Sequence, residues 1–102
     1  MRYLIQFRPE PSAPRLDNPL SANKAVAAYV TALQKKAILE VGYVFVTGGG
    51  VGILNVASHE ELWEIIYAYP LYTSFQWQVD PLADVTITLG RAIEMIENEA
   101  KK

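Results

Sequence analysis

Few side chains in this sequence can carry out acid/base chemistry. Cysteine is absent, and the one histidine, His59, has the only type of side chain that titrates near neutral pH when unperturbed. The lack of cysteine excludes thiol catalysis and disulfide bonds, and a single histidine leaves little material for a zinc site. His59 falls in the first turn of a predicted helix, where a side chain is usually exposed. We therefore favour a surface position over a chemical role for it.

Glu40 and Tyr43 are the candidate catalytic residues. Glu40 follows the first predicted helix and precedes the second predicted strand. A carboxylate there can act as a base if it is partly buried, and it is otherwise a surface charge at a helix end. The Tyr43 hydroxyl could donate a hydrogen bond to a ligand oxygen, or the ring could serve only in packing.

Polar side chains on the first and last predicted strands form a candidate binding patch. Gln6 and Arg8 project from one face of the first strand, and Gln76 and Gln78 alternate with apolar residues in the last one. If the two strands are neighbours, the four side chains share a face of the sheet. Arg8 could then hold a carboxylate-bearing ligand. The alternative is a hydrogen-bond network inside an interface.

The composition describes a single domain, 1–102, with little net charge. Its 102 residues are 51% hydrophobic, too many for a disordered chain, and nine basic against eleven acidic side chains give a net charge of −2. No Lys/Arg cluster marks a nucleic-acid surface, and no apolar run approaches the ~20 residues of a membrane span. The N-terminus lacks a signal-peptide pattern. We expect a cytoplasmic protein with no metal, cofactor, nucleic-acid or membrane partner.

Hydrophobic periodicity predicts the elements that position these residues. Alternation marks the strands, Gly48–Gly50 marks a hairpin tip, and Ser58 with Glu61 forms a capping box at a helix start. Pro70 and Pro81 are predicted to end a helix and a strand. Ser21 is the predicted cap of the first helix. The predicted strands are 2–8, 42–47, 51–56 and 74–80, and the predicted helices are 22–37, 58–69 and 84–102.

This order predicts an α+β fold: a ferredoxin-like βαββαβ unit with an antiparallel four-stranded sheet and a C-terminal helical extension, 83–102. Two helices cover one face of such a sheet, and the reverse face keeps several apolar side chains, so we expect a homodimer through stacked sheets. Val85–Leu89 could also pass for a strand, but Asp84 as a cap favours a helix. That helix, which ends in Lys101 and Lys102, either reaches across a neighbouring subunit or folds back on its own domain.

Three segments resemble the muconolactone delta-isomerase family. They are Asn55–Leu62, Tyr69–Tyr72 and Phe75–Leu82. The resemblance implies a dimeric α+β barrel that assembles into homo-oligomers. It also implies a cofactor-independent isomerase that moves a proton by acid/base catalysis on a small lactone or carboxylated organic compound.

In such a mechanism Arg8 would orient the ligand, and Glu40 or Tyr43 would exchange the proton. Gln76 and Gln78 stand where the family tends toward carboxylates, and an amide cannot exchange a proton in this way. A non-catalytic oligomeric protein of the same fold, which binds a small molecule or acts as a scaffold, is the alternative.

Overall fold

The computed structural model, which describes residues 1–101, confirms the predicted order of elements. A short 3₁₀ turn, Tyr72–Ser74, precedes the last strand. The strands are β1 (Arg2–Pro9), β2 (Leu39–Val44), β3 (Gly50–Asn55) and β4 (Phe75–Leu82), and the helices are α1 (Pro19–Lys35), α2 (His59–Tyr67) and α3 (Val85–Ala100). Lys102, predicted to end the last helix, lies outside the described residues.

The four strands form one antiparallel sheet in the order β2-β3-β1-β4. This is the order of a ferredoxin-like fold, as predicted. Residues directly opposite each other in antiparallel strands share a face, so the register divides the sheet into two surfaces. The helix-side face carries Tyr3, Ile5, Phe7, Leu54 and Trp77, and the open face carries Gln6, Arg8, Gln76, Gln78, Leu4 and Ile53.

The core lies between the helix-side face and α2. Its members are each 4 to 6% exposed and come from β1, from β3 and the residue that follows it, and from α2. They are Tyr3, Ile5, Leu54, Val56 and Leu62. Ser58 caps α2 as predicted, because its hydroxyl accepts a hydrogen bond from the Glu61 amide at 3.1 Å. The Glu61 carboxylate accepts one in return from the Ala57 amide at 2.9 Å.

The predicted start of α1 was wrong by one turn. Asn18, and not Ser21, caps this helix: its side-chain oxygen accepts a hydrogen bond from the Ser21 amide at 3.0 Å. Pro19 occupies the first helical turn, where its fixed φ and missing amide are tolerated. The helix therefore begins at Pro19, three residues before its predicted start at residue 22.

Two strands, β2 and β4, differ from the prediction by more than one residue at an end, while β1 and β3 differ by one residue. β2 covers Leu39–Val44 and not 42–47, because Phe45 already bonds to Gly48 and Gly49 and so belongs to the hairpin turn. Gly48 and Gly49 both have positive φ in this turn. Pro81 lies within β4 and does not end it. β4 is an edge strand, so its outward positions need no amide donor.

The C-terminal segment is a helix, so the strand alternative for Val85–Leu89 is wrong. Asp84 caps it as predicted, since its carboxylate accepts a hydrogen bond from the Ile87 amide at 2.9 Å. α3 does not fold back on its own domain: every residue from Val85 to Lys101 is exposed. None of the helices in the described part of the chain is long and apolar enough to cross a bilayer.

α3 projects from the rest of the molecule and leaves an apolar strip uncovered. The radius of gyration is 17.9 Å, against about 13 Å for a compact chain of this length. Side chains three and four residues apart share one side of a helix. We call the apolar set on α3 the α3 stripe: Val85, Leu89, Ala92, Ile93 and Ile96.

Candidate functional site

A cavity of about 480 Å³ lies between the helix-side face of the sheet and the two helices that cover it. This volume is typical of a site for a small organic molecule. α1 provides one wall, and the strands provide the opposite one. Side chains and backbone on the cavity surface include those of Val26, Tyr29, Val30, Leu33, Ile5, Phe7, Leu39, Gly42, Gly52, Leu54, Ile65, Ile66, Tyr69 and Trp77.

One end of the cavity is a wall of packed aromatic rings. Phe7 stacks on Trp77 with ring centroids 5.0 Å apart and an angle of 26° between the planes. Tyr69 meets Trp77 edge-on at 5.2 Å. The Trp77 indole NH donates a hydrogen bond to the Tyr72 carbonyl oxygen at 2.9 Å, which fixes the orientation of the ring. This wall offers a flat, rigid surface against which a ring compound can pack.

The polar groups of the cavity are mainly phenol hydroxyls. Tyr29 donates its hydroxyl to the Ile65 carbonyl oxygen at 2.5 Å, which ties α1 to α2. Burial raises the pKa of Tyr29 and of Tyr69 above the usual tyrosine value, because the phenolate would be poorly solvated there. Both hydroxyls therefore stay protonated at neutral pH and serve as hydrogen-bond donors and not as bases.

The cavity carries no formal charge. Within residues 1–101, none of the side chains on its surface is acidic, basic or histidine. In the same part of the chain, no group of three or more His, Cys, Asp or Glu side chains is placed to hold a metal ion. The site can therefore bind a neutral molecule by packing and a few hydrogen bonds.

The structure brings the four predicted binding residues together on the open face, away from the cavity. Gln6 lies directly opposite Gln78, and Arg8 lies directly opposite Gln76. The Arg8 guanidinium is 4.4 Å from the centre of the Phe45 ring. The Gln76 side-chain amide donates to Glu10 at 2.8 Å, and the Gln78 amide donates to Asp80 at 3.2 Å.

Glu40 and Tyr43 are not placed beside Arg8. Glu40 accepts hydrogen bonds from Arg2 at 2.7 and 3.2 Å, and this guanidinium holds the pKa of the Glu40 carboxyl below its usual range. Arg2 and Arg8 are six residues apart on β1, or about 20 Å. Tyr43 is 72% exposed at the β2 edge, on the rim of the cavity. The role of either residue in proton transfer stays a prediction.

His59 has a structural contact. It lies exposed at the start of α2, and its Nδ1 forms a hydrogen bond with the hydroxyl of Tyr3, a core residue. The bond satisfies a hydroxyl that would otherwise lose its partner on burial. This matches the surface position favoured from the sequence.

Sequence reasoning missed Tyr29 and Tyr69 as site residues. Both fall on predicted apolar stripes, Tyr29 on the first helix and Tyr69 at the end of the second. A buried tyrosine in such a stripe looks the same whether its hydroxyl faces a protein carbonyl or a cavity. The sequence carries no signal that separates the two cases: the residues of α1 that line the cavity are large, and most alanines of this helix are exposed.

Several solved structures resemble this one, among them the following two. The 5-chloro-2-hydroxyhydroquinone dehydrochlorinase TftG from Burkholderia phenoliruptrix AC1100, in complex with 2,5-dihydroxybenzoquinone, matches with a TM-score of 0.68 and 20% sequence identity over 84% of this chain and 97% of that chain. Muconolactone isomerase matches with a TM-score of 0.64 and 17% identity over 82% of this chain and 90% of that chain. No protein-family model and no curated protein sequence matches this chain. At these identities the likeness shows the fold alone.

Proposed function

We propose that this chain, which has the muconolactone isomerase-like fold predicted from its sequence, binds a neutral ring compound with hydroxyl or carbonyl groups in its cavity. The uncharged, mostly apolar surface of that cavity is the observation that carries the proposal. Burying an apolar ring contributes about 25 cal/mol per Å². Burying a carboxylate there costs its hydration, with no cation to offset the loss.

The two half-buried tyrosines of the cavity, Tyr29 and Tyr69, each have a place in this proposal. The ring of the ligand packs against Phe7 and Trp77, and the Tyr69 hydroxyl donates a hydrogen bond to an oxygen of the ligand. The Tyr29 hydroxyl already donates to Ile65, so its remaining lone pair can accept from a ligand hydroxyl. The dehydrochlorinase of the same fold supports a ring ligand with hydroxyl and carbonyl groups, because it was solved with such a compound. The neutrality of the ligand rests on the uncharged cavity alone.

Calorimetric titration with phenol and benzoate tests the proposal. The two differ mainly in charge at neutral pH, and we expect phenol to bind at least about tenfold more tightly. Tyr69→Phe should weaken phenol binding about fivefold, since a net hydrogen bond contributes about 1 kcal/mol. Tyr67→Phe is the matched control, because Tyr67 is 58% exposed and does not line the cavity. Absence of binding by every neutral ring tested would contradict the proposal.

An isomerase that uses the open face is the second candidate. It is favoured by the position of Arg8 beside Gln6, Gln76 and Gln78, with no carboxylate within ion-pair distance of Arg8 among the residues described. A carboxylated lactone could bind there, and Glu40 or Tyr43 would have to exchange the proton. The fold of muconolactone isomerase supports this candidate.

Deuterium exchange from solvent into a bound lactone separates the two candidates. If the open face is the site, Arg8→Ala should slow exchange at least about tenfold, because the charge-assisted hydrogen bonds to the carboxylate are lost. Arg15→Ala, in the exposed loop before α1, should leave the rate unchanged. Equal rates for the original chain and Glu40→Gln would remove Glu40 from the mechanism.

The open face and the α3 stripe support self-association. Val41, Tyr43 and Leu82 are 42, 72 and 41% exposed on the open face, and the large members of the α3 stripe are 56 to 69% exposed. Exposed apolar area of this extent is typical of an interface. The partner in this proposal is a second copy of the chain, with the two sheets stacked as a dimeric α+β barrel and each α3 lying against the neighbouring subunit.

A further inference from the structure

We infer that Leu39 determines the size of the ring that the cavity accepts, an inference that rests on the proposed binding function. Leu39 begins β2 and lies on the cavity surface. Gly42 and Gly52 sit directly opposite each other where β2 pairs with β3. The Leu39 side chain packs beside both glycines, of which Gly52 is buried and Gly42 is exposed, and it forms part of the cavity floor at this point.

The distances show how closely the leucine fits over the glycines. A Cβ atom added to Gly42 would be 3.4 Å from Cδ2 of Leu39, which is ordinary van der Waals contact. One added to Gly52 would be 3.0 Å from Cδ1 of Leu39 and 3.2 Å from the Val41 carbonyl oxygen, which is tighter than normal packing. A methyl group at position 52 therefore pushes the Leu39 side chain away by a few tenths of an ångström and also presses on the Val41 carbonyl oxygen.

The backbone does not require glycine at either position. The glycines with positive φ in the described chain are Gly48 and Gly49, so Gly42 and Gly52 have conformations that other residues adopt. What these two positions provide is the absence of a side chain beneath Leu39. The depth of the cavity here depends on where the leucine rests.

Two substitutions should change ring selectivity in opposite directions. Leu39→Ala removes the floor and deepens the cavity, which favours a larger ring. Gly52→Ala moves the leucine into the cavity, which favours a smaller ring. A hydrophobic pocket discriminates about tenfold or more against one misplaced methylene group, so the changes are large enough to measure.

The test compares the affinities of phenol and 2-naphthol in the original chain and its variants. We expect the preference for 2-naphthol over phenol to rise about tenfold in Leu39→Ala and to fall about tenfold in Gly52→Ala. The double variant should behave like Leu39→Ala, because the added methyl no longer has a leucine to displace. Leu4→Ala is the matched control, since Leu4 is half-buried on the open face.

The outcomes separate this inference from the function on which it rests. If the original chain binds neither compound, the proposed function fails. If it binds both and the preference is unchanged in Leu39→Ala and Gly52→Ala, the function stands and the role of Leu39 is wrong. Gly42→Ala, whose added Cβ meets Leu39 at ordinary contact distance, should leave the preference unchanged and serves as a control. Should Gly52→Ala fail to fold by circular dichroism, an unchanged preference in Leu39→Ala by itself overturns the inference.

Discussion

A chain that ends at Ala83, and so lacks α3, is expected to stay folded and to self-associate at least about a hundredfold more weakly. The domain should survive because every residue of α3 is exposed and little packing is lost with it. Association should weaken because burying one large aliphatic side chain contributes about 1.5 to 3 kcal/mol, and the α3 stripe presents several from each copy. Sedimentation velocity across a dilution series measures the change.

Point variants test whether the apolar residues of the α3 stripe cause the association, and not merely the presence of a helix. Ile96→Asp puts a carboxylate in the stripe and should weaken association about tenfold or more, because the charge would have to be buried. Asn98→Asp adds the same charge on the polar side of α3 and should leave association unchanged. A full-length chain that remains monomeric at millimolar concentration would refute the dimer, and unfolding of the shortened chain would show that α3 packs on its own domain.

Phe7→Ala is expected to lower the free energy of unfolding by about 3 to 5 kcal/mol. Phe7 packs against Trp77, Tyr69 and Phe75, with ring centroids 5.0, 5.9 and 5.1 Å away. Its loss leaves a void in the aromatic wall and removes ring-to-ring contacts worth about 0.5 to 1.5 kcal/mol each. A folded domain of this size has about 5 to 15 kcal/mol of net stability, so the variant should lie close to unfolding.

Urea denaturation with Phe45→Ala as a control measures the effect. Phe45 lies in the β2–β3 turn, half-buried beneath the Arg8 guanidinium, and it is absent from the aromatic wall. Its removal should cost about 1 kcal/mol, the value of an exposed cation–π contact. Equal losses in the two variants would mean that the aromatic wall contributes no more than a surface ring.

Capping residues and a clear alternation of apolar and polar side chains were sufficient to predict α2, α3 and β1 from the sequence. The Ser58 box and the Asp84 cap form the hydrogen bonds expected of them, and the alternation of Tyr3, Ile5 and Phe7 identified β1. β2 was displaced by three residues because the prediction followed the run of β-branched and aromatic residues over 42–47. Its position depends on bonds from Phe45 to the glycine turn, which form only in three dimensions.

The binding site was less predictable than the fold, for a physical reason. The polar patch could be foreseen, because strand register fixes that Gln6 faces Gln78 and Arg8 faces Gln76 once β1 and β4 pair. The cavity could not, since it lies where the side chains of α1, α2 and the sheet leave the space between them unfilled. The hydrophobic pattern of a sequence predicts which side chains face the interior. It does not predict whether these side chains fill the interior completely.

The two edge strands of the sheet differ in how readily they can pair with a strand of another molecule. At the β4 edge, Pro81 has no amide hydrogen to offer an incoming strand. β2, at the other edge, exposes its backbone along with Val44, which is 83% exposed. Two molecules joined edge to edge through β2 would form an eight-stranded sheet bounded by proline-bearing strands at both ends. Such pairing terminates by itself, so this architecture disfavours fibrillar polymerisation through continuous strand addition.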